Sequence, residues 1–214
     1  MTSQEILLEL GDRYPVLLPV LGDIGTLFDE LCATYRRGGK LLVAGNGGSA
    51  ADAEHIVGEL MKGFLLPRPL DAALCEKLIA ADPVRGEALA KGLQGVLPAI
   101  SLCGEHALST AVANDGQPYM AFAQQVLGYG NEGDLFLAIS TSGNAENLLF
   151  AAAVAHAKGM RVALLTGRSG GKLIEVADLA VCAPADRTFA VQELHLPIYH
   201  ALCRMLEAEF FGER

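Results

Sequence analysis

Basic residues are scarce in this sequence. Its 214 residues include 16 lysines and arginines against 25 aspartates and glutamates, which gives a formal net charge of -9. Binding to a nucleic acid backbone depends on a basic surface that releases counterions, so this charge balance argues against nucleic acid as a direct ligand. A small phosphorylated metabolite is not excluded, because a few backbone amides and hydroxyls at one place suffice to hold a phosphate.

Long hydrophobic runs and closely paired cysteines are also missing. Apolar runs such as residues 148–155 are far shorter than the ~20 residues of a membrane-spanning helix, so no membrane role is expected. The first residues show neither the basic start nor the continuous apolar core of a secretory signal. The five scattered cysteines are typical of buried free thiols in a reducing compartment. Together these absences predict a cytoplasmic protein.

No repeat, low-complexity tract or flexible linker divides the chain, so residues 1–214 are expected to form a single domain. From Lys40 onward, short apolar runs alternate with longer Ala-rich amphipathic stretches. This alternation is the pattern of parallel strands joined by crossover helices, and it predicts an α/β sandwich with a five-stranded parallel sheet. Strands are predicted at residues 40–44, 97–102, 134–139, 160–165 and 178–183.

Two helical regions flank the predicted sheet. Residues 1–39 form an N-terminal helical segment that prolines and glycines are expected to break into two helices. The breaking residues are Pro15, Pro19, Gly22 and Gly25. This segment can pack against its own domain or against a neighbouring subunit, and the sequence does not decide between these two arrangements. Residues 187–211 are predicted to form one long final helix.

A glycine-rich turn, called here the glycine loop (residues 45–49), follows the first predicted strand. Its members are Gly45, Asn46, Gly47, Gly48 and Ser49. Glycines let the backbone approach a ligand closely, and the N-terminus of the following helix, with Ser49 suited to its N-cap, favours an anion. An ordinary tight turn explains the pattern equally well. Neither the Walker phosphate loop nor the usual dinucleotide fingerprint is matched, so no nucleotide cofactor is expected.

A second turn, the hydroxyl loop (residues 140–144), follows the third predicted strand. It contains Ser140, Thr141 and Ser142, three adjacent hydroxyls that are suited to surround a phosphate. Helix capping explains one hydroxyl and leaves the other two without a role. Ligands of open parallel sheets bind beyond the carboxyl ends of the strands, and both loops lie at that edge. The pair of loops therefore predicts a phosphate site.

Two predicted helices carry ionisable side chains that can meet at one cleft. His55 and Glu59 are four residues apart and share one helix face, while Gln192 and His200 lie on the final helix. Such a set can bind a divalent ion or divide acid and base chemistry. The alternative is that both histidines are ordinary surface or core residues, and spacing alone does not decide between these possibilities.

The order of five motifs resembles one known family, the sedoheptulose 7-phosphate isomerases, which contain a SIS domain. The motifs are GNGGSAADAEHIVGEL (45–60), VANDG (112–116), AISTSGNAEN (138–147), ALLTGRSGGKL (163–173) and QELHLPIYH (192–200). The resemblance implies a flavodoxin-like three-layer αβα fold, a homotetramer and active sites at subunit interfaces. It also implies an enzyme that converts sedoheptulose 7-phosphate into a heptose 7-phosphate through an enediol.

The resemblance assigns roles to particular residues. Glu59 would be the base that moves a proton between C1 and C2, with His200 as partner acid or base. Zinc would be held by the residues that correspond to reported ligands, His55, Glu59, Gln192 and His200. The phosphate would bind Ser140, Thr141 and Ser142. The sugar would contact Asn46, Ser49 and Asp115, next to the backbone of Gly47 and Gly48 and the side chain of Gln192.

This sequence departs from the family pattern at three places. Typical members have an Arg four residues after the base, whereas here Gly63 stands at that position and Lys62 is the nearest cation. Ala190 and Val191 replace a usual Arg-Ile pair. Residues 65–96 form an insertion with a predicted helix near its middle, at residues 74–81. The insertion is either a tolerated surface elaboration or a lid that changes specificity.

Two other functions stay open beside the isomerase. One is a non-catalytic SIS-domain protein that binds phosphosugars or regulates a partner, although relatives of that kind lack the Glu and His that this chain carries at positions 59 and 200. The other is isomerisation of a different sugar phosphate, which the insertion and the missing Arg allow.

Overall fold

A computed structural model describes residues 1–212. Five strands form one sheet in the order β2-β1-β3-β4-β5, and every neighbouring pair is parallel. The strands are β1 (Leu41–Gly45), β2 (Ala99–Ser101), β3 (Leu135–Ser140), β4 (Arg161–Gly167) and β5 (Leu179–Ala183). The five predicted strands and the parallel sheet are confirmed, and the strand order is that of flavodoxin-like folds.

Nine α-helices lie among the described residues. They are α1 (Ser3–Arg13), α2 (Leu21–Arg36), α3 (Gly48–Leu60), α4 (Ala72–Ala81), α5 (Gly86–Gly92), α6 (His106–Asp115), α7 (Ala121–Tyr129), α8 (Glu146–Ala157) and α9 (Thr188–Phe211). The predicted final helix is confirmed as α9. None of the helices in residues 1–212 combines the length and the apolar character needed to cross a membrane.

The helices cover both faces of the sheet, which gives three layers. Leu41 and Val43 of β1 face a core shared with α1, α2, α3 and α9. Leu42 and Ala44 point to the opposite face, where α7 and α8 pack. Because successive strand residues point to opposite faces, a strand covered on both sides must be apolar throughout, and every residue of β1 and β3 is buried.

The N-terminal segment contains the two predicted helices, joined by a 3₁₀ stretch at Pro15–Val20 that holds both prolines. The predicted breaks at Gly22 and Gly25 are wrong, because both residues lie inside α2. A glycine in a helix costs only about 1 kcal/mol and removes no hydrogen bond, which the buried face of α2 offsets. Of the two possible packing partners, the structure shows the segment's own domain: α1 and α2 bury Ile6 and Leu27 in the core of this chain.

Residues 61–96 contain the predicted helix, which is α4, and the shorter α5 packs against it. Neither helix contributes a hydrophobic side chain to the two buried cores. Apolar side chains are instead exposed along the segment, with Leu65 at 64% and Val84 at 85% of their full accessible surface. The segment therefore adds little to the core and presents apolar surface to its surroundings.

Candidate active site

The two loops lie side by side at the carboxyl edge of the sheet. β1 and β3 are neighbours, with Gly45 paired to Ile139. The side-chain amides of Asn46 and Asn147 exchange two hydrogen bonds of 3.0 and 2.9 Å, which tie the glycine loop to the start of α8. The strand order reverses direction between β1 and β3, so the loops occupy the crevice where ligands of such sheets bind.

The backbone of the glycine loop is the one that its glycines predict, but the N-cap of the following helix is not the predicted residue. Gly47 has a φ of 57°, a conformation that favours glycine. The predicted N-cap role of Ser49 is wrong, because α3 begins at Gly48, Gly47 is the N-cap, and Ser49 is buried inside the first turn. No side chain of residues 1–212 caps this helix, so no capping group among them competes with an anion for the amides of its first turn.

The hydroxyl loop is held in one shape by its neighbours. Ser140 ends β3 and is buried, whereas Ser142 is exposed. The Ser142 Oγ accepts a 3.3 Å bond from the backbone amide of Asn144, so its own proton stays free to be donated to a phosphate oxygen. A Cβ on Gly143 would come within 1.8 Å of the Gly170 carbonyl oxygen, so only glycine fits there. Each feature presents the exposed hydroxyl in a fixed position.

Helices α3 and α9 form a polar seam that begins at the glycine loop. Gly48, Asp52, His55 and Glu59 are spaced along one stripe of α3. Gln192 of α9 lies against Gly48, where an added Cβ would come within 2.3 Å of the Gln192 Nε2. The side chain of Gln192 therefore reaches the glycine loop, as expected for a substrate contact.

Further along the seam, three of the predicted side chains meet. The His55 Nε2 lies 3.2 Å from the Glu59 Oε1 and 3.4 Å from the His200 Nε2. Burial lowers the pKa of His200, and the adjacent His55 lowers it further. His200 is therefore disposed to be a neutral imidazole, the form that accepts a proton or binds a metal. The second oxygen of Glu59 accepts a 2.9 Å bond from Lys62.

The fit of these residues to zinc is partial. Zinc with four ligands at about 2.0 Å places neighbouring ligand atoms about 3.3 Å apart, which matches the two separations at His55. Gln192 is eight residues, or about 12 Å of helix, from His200, so it must extend toward His200 to join the same ion. Within residues 1–212, no three or more His, Cys, Asp or Glu side chains are already arranged as a metal site. The zinc set stays a prediction.

Asp115 makes no hydrogen bond to either loop among the described residues. It ends α6, is exposed, and accepts a 2.7 Å bond from the Asn114 side chain. Helix α6 packs against α7 and the 3₁₀ turn Pro118–Met120. The sugar contact of Asp115 stays a prediction.

The departure at Gly63 has a structural basis. An added Cβ there would lie 2.7 Å from the Gln94 Oε1 and 2.8 Å from the Leu66 carbonyl oxygen. Gln94 belongs to the insertion and accepts a hydrogen bond from the Gly63 backbone amide. The insertion therefore fills the space beside Gly63 where the side chain of the family's usual Arg would start.

A cavity of about 340 Å³ opens beside His200 between α1 and α9. Its wall includes Phe64 and two arginines, Arg13 and Arg204, which both pair with Glu9. One carboxylate shared by two guanidinium groups leaves this wall positively charged. His200 therefore adjoins a space of small-molecule size.

Four residues of the site were not identified from the sequence. Tyr199 contacts His55 directly and also donates to Asp52, and the buried ion pair of Arg68 and Glu207 holds the end of α3. Asp52 shares the helix stripe of His55, so the three-residue spacing was an available signal. Arg68 and Glu207 lie 139 residues apart, and no local pattern connects them.

Comparison with known proteins agrees with this geometry. The sequence model of the SIS domain matches residues 108–206. The solved phosphoheptose isomerase GmhA from Neisseria gonorrhoeae superimposes with a TM-score of 0.71 at 28% identity, covering 96% of this chain and 93% of that chain. A phosphoheptose isomerase from Francisella tularensis gives 0.69 at 32%, covering 96% and 92%. The fold and its loops are therefore those of a SIS-domain sugar-phosphate isomerase.

Sequence relatives show which family of SIS-domain isomerases this chain resembles. A phosphoheptose isomerase from Akkermansia muciniphila is 32% identical over 96% of this chain and 95% of its own length. One from Thiobacillus denitrificans is 40% identical over 85% of this chain and 81% of its own length. The chain belongs to the phosphoheptose isomerase family.

Proposed function

We propose that this chain converts sedoheptulose 7-phosphate into a heptose 7-phosphate, an aldose, through an enediol intermediate. The observation that carries the proposal is the polar seam, which joins a phosphate-sized pair of loops to Glu59 and His200. The similarity to proteins named phosphoheptose isomerase supports the substrate class. Retention of both proton-transfer groups argues against a protein that only binds phosphosugars.

Glu59 and His200 divide the proton transfers. The Glu59 carboxylate takes the proton from C1 of the ketose while neutral His200 passes the proton of the C1 hydroxyl to the C2 oxygen, which yields the ionised enediol. Glu59 then returns its proton to C2, which leaves the aldehyde at C1 and a hydroxyl at C2. A hydrogen bond from the ring of His200 to the C2 oxygen stabilises the negative charge that develops there.

The loops hold the other end of the substrate. The hydroxyls of Ser140, Thr141 and Ser142 bind the phosphate, while Asn46, Gly47, Gly48 and Ser49 line the sugar together with Gln192. Ser49 and Glu59 are ten residues apart on α3, about 15 Å along its axis. The Glu59 side chain leans toward the helix N-terminus, since Cα–Cβ bonds in helices point that way, and this shortens the span that the sugar must bridge.

A homotetramer with active sites at subunit interfaces, in the cytoplasm, completes the proposal. Asp115 is exposed on α6 and makes no hydrogen bond to the loops of its own chain among the described residues. We assign its proposed sugar contact to substrate bound by a neighbouring subunit. The exposed apolar side chains of residues 61–96 support association, and the unpaired cysteines suit a reducing compartment.

A divalent ion, zinc, is proposed as the cofactor. His55, Glu59 and His200 would hold it, with Gln192 as the weaker fourth ligand. When bound, zinc supplies a Lewis acid that polarises the substrate carbonyl.

Replacing His55 by Ala should remove most of the bound zinc, because two of the remaining ligands are only a carboxylate and an amide. Elemental analysis of protein grown with added zinc measures this. His106→Ala, an exposed histidine on α6, is the control and should leave the zinc content unchanged. Equal zinc in wild type and His55→Ala would eliminate the site.

Replacing Ser142 by Ala should weaken phosphosugar binding by about 1 kcal/mol or more, at least about fivefold in Kd, because a hydrogen bond to a charged oxygen is lost. Isothermal titration calorimetry with the ketose phosphate and with inorganic phosphate measures the loss. Ser3→Ala on α1 is the control. Unchanged affinity for both ligands in Ser142→Ala would show that the phosphate binds elsewhere.

The substrate itself is tested with a panel of ketose phosphates, in which the purified protein is incubated with each compound and aldose formation is followed. The proposal predicts the highest kcat/KM for sedoheptulose 7-phosphate. A higher value for a hexulose phosphate would identify a different sugar-phosphate isomerase, a result that the altered surroundings of Gly63 would then explain.

A further inference from the structure

A chain of hydrogen bonds runs from Asp52 through Tyr199 to His55. The Tyr199 hydroxyl donates to the Asp52 Oδ1 over 3.2 Å, and the same phenolic oxygen lies 3.1 Å from the His55 Nδ1. Tyr199 is 2% exposed, and its ring meets the imidazole of His55 edge to face with centroids 5.4 Å apart. The phenol therefore has a fixed place between the carboxylate and the imidazole.

The direction of each bond follows from the number of protons available. An ionised carboxylate can only accept, and a phenol has a single proton to donate. The phenol keeps that proton at neutral pH, because the ordinary pKa of tyrosine is about 10. Because Tyr199 donates to Asp52, its oxygen can only accept from His55. The Nδ1 of a neutral His55 must then carry the ring proton.

This tautomer opposes the one that Glu59 alone would select. Glu59 Oε1 lies 3.2 Å from the His55 Nε2 and would favour a proton on that nitrogen. With the proton on Nδ1, the Nε2 presents a lone pair toward Glu59 and toward the His200 Nε2 at 3.4 Å. Two facing acceptors, this lone pair and the Glu59 oxygen, are unfavourable unless a cation or a donated proton lies beside both, and a histidine that binds metal commonly donates its other N–H to such a partner.

We propose that Asp52 and Tyr199 are positioning residues that hold His55 as its Nδ1–H tautomer and direct its Nε2 lone pair toward the space shared with Glu59 and His200, where it binds a divalent cation. The cation-binding role of His55 rests on the proposed function, whereas its tautomer can be measured without any enzymatic turnover.

The test is the ring-nitrogen spectrum of His55 in the full chain labelled with ¹⁵N-histidine. Spectra are recorded after chelation, since a bound metal would impose the same tautomer, and at about pH 8, above the ordinary pKa of histidine. Wild type should show a protonated Nδ1. Tyr199→Phe removes the acceptor, so the proton should move to Nε2, next to Glu59. Asp52→Ala should do the same, because the freed hydroxyl can then donate to Nδ1.

Tyr35→Phe is the matched control, because the Tyr35 hydroxyl is also buried and has no hydrogen-bond partner among the described residues. It should leave the His55 spectrum unchanged. A wild-type His55 protonated on Nε2, or a Tyr199→Phe spectrum identical to wild type, overturns the inference.

Zinc titration of the same proteins tests the purpose of the tautomer. Loss of an outer partner of a metal-binding histidine typically costs about 10- to 100-fold in affinity, and Tyr199→Phe should show a loss of that size. Wild type that binds no zinc, or Tyr199→Phe that binds it as tightly, overturns the cation-binding role. Absence of isomerase activity in wild type contradicts the proposed function and leaves the tautomer result to be judged separately.

Discussion

Glu59→Gln should reduce kcat by about 10²- to 10⁴-fold, the range for loss of a general base, while phosphosugar affinity stays close to wild type. The amide has the shape of the carboxylate but cannot take up the C1 proton and return it. Glu59 is half-buried at the end of the polar seam, so the isosteric variant keeps the surrounding contacts of α3. Steady-state kinetics with the preferred ketose phosphate gives kcat, and calorimetry gives the affinity.

Glu54→Gln provides the matched control, since Glu54 is exposed on the same helix and outside the stripe that faces α9. It should turn over at the wild-type rate. Because Glu59 is also a proposed zinc ligand, rates are compared at matched zinc content. If Glu59→Gln turned over as fast as Glu54→Gln, Glu59 would be excluded as the base.

Glu207→Gln should destabilise the fold by about 3–5 kcal/mol, the usual cost of breaking a buried ion pair from one side. Glu207 and Arg68 are each about 1% exposed and lie 2.9 Å apart. The carboxylate also accepts bonds from the backbone amides of Phe64, Leu65 and Leu66. The Gln side chain has no negative charge, so Arg68 stays charged and poorly paired. Its NH₂ group also replaces one of the two oxygens that accept hydrogen bonds from these amides.

The measurement is thermal and urea unfolding at one protein concentration, because subunit association changes apparent stability. A loss of this size should lower Tm by about 10 °C in a chain of this length. Glu209→Gln is the control: Glu209 pairs with Arg36 at the surface of the same helix, and exposed pairs contribute about 1 kcal/mol or less. Equal Tm values for the two variants would show that the buried pair does not stabilise the fold.

The buried pair also connects stability to the site. Arg68 donates to the backbone oxygens of Leu60 and Glu59 over 2.8 and 3.1 Å, at the last turn of α3. These carbonyls lack partners within the helix, so the guanidinium takes the place of the missing amides. The pair thereby joins α9 to the part of α3 that carries the catalytic carboxylate.

The sheet was predictable because each strand is covered on both faces and is therefore apolar throughout, as in β1 and β3. The meeting of His55 with Glu59 followed from helical spacing, and their approach to His200 required the strand order that brings α3 and α9 together. The cap of α3 was mispredicted, because the backbone of Gly47 takes the position that sequence statistics give to a serine. Asp52 and Tyr199 are far apart in the sequence, so no local pattern predicts their contact. The contact forms only when α3 and α9 pack together.

The central claim is that this chain moves a proton between C1 and C2 of a ketose phosphate, and solvent deuterium uptake tests it most directly. Wild type and Glu59→Gln are incubated in D₂O with sedoheptulose 7-phosphate, at matched zinc content, and deuterium at C1 and C2 is measured by NMR. The account predicts uptake in the wild type and little in the variant. Wild type that incorporates no deuterium from any ketose phosphate in the panel would contradict it and identify a protein that binds phosphosugars without transforming them.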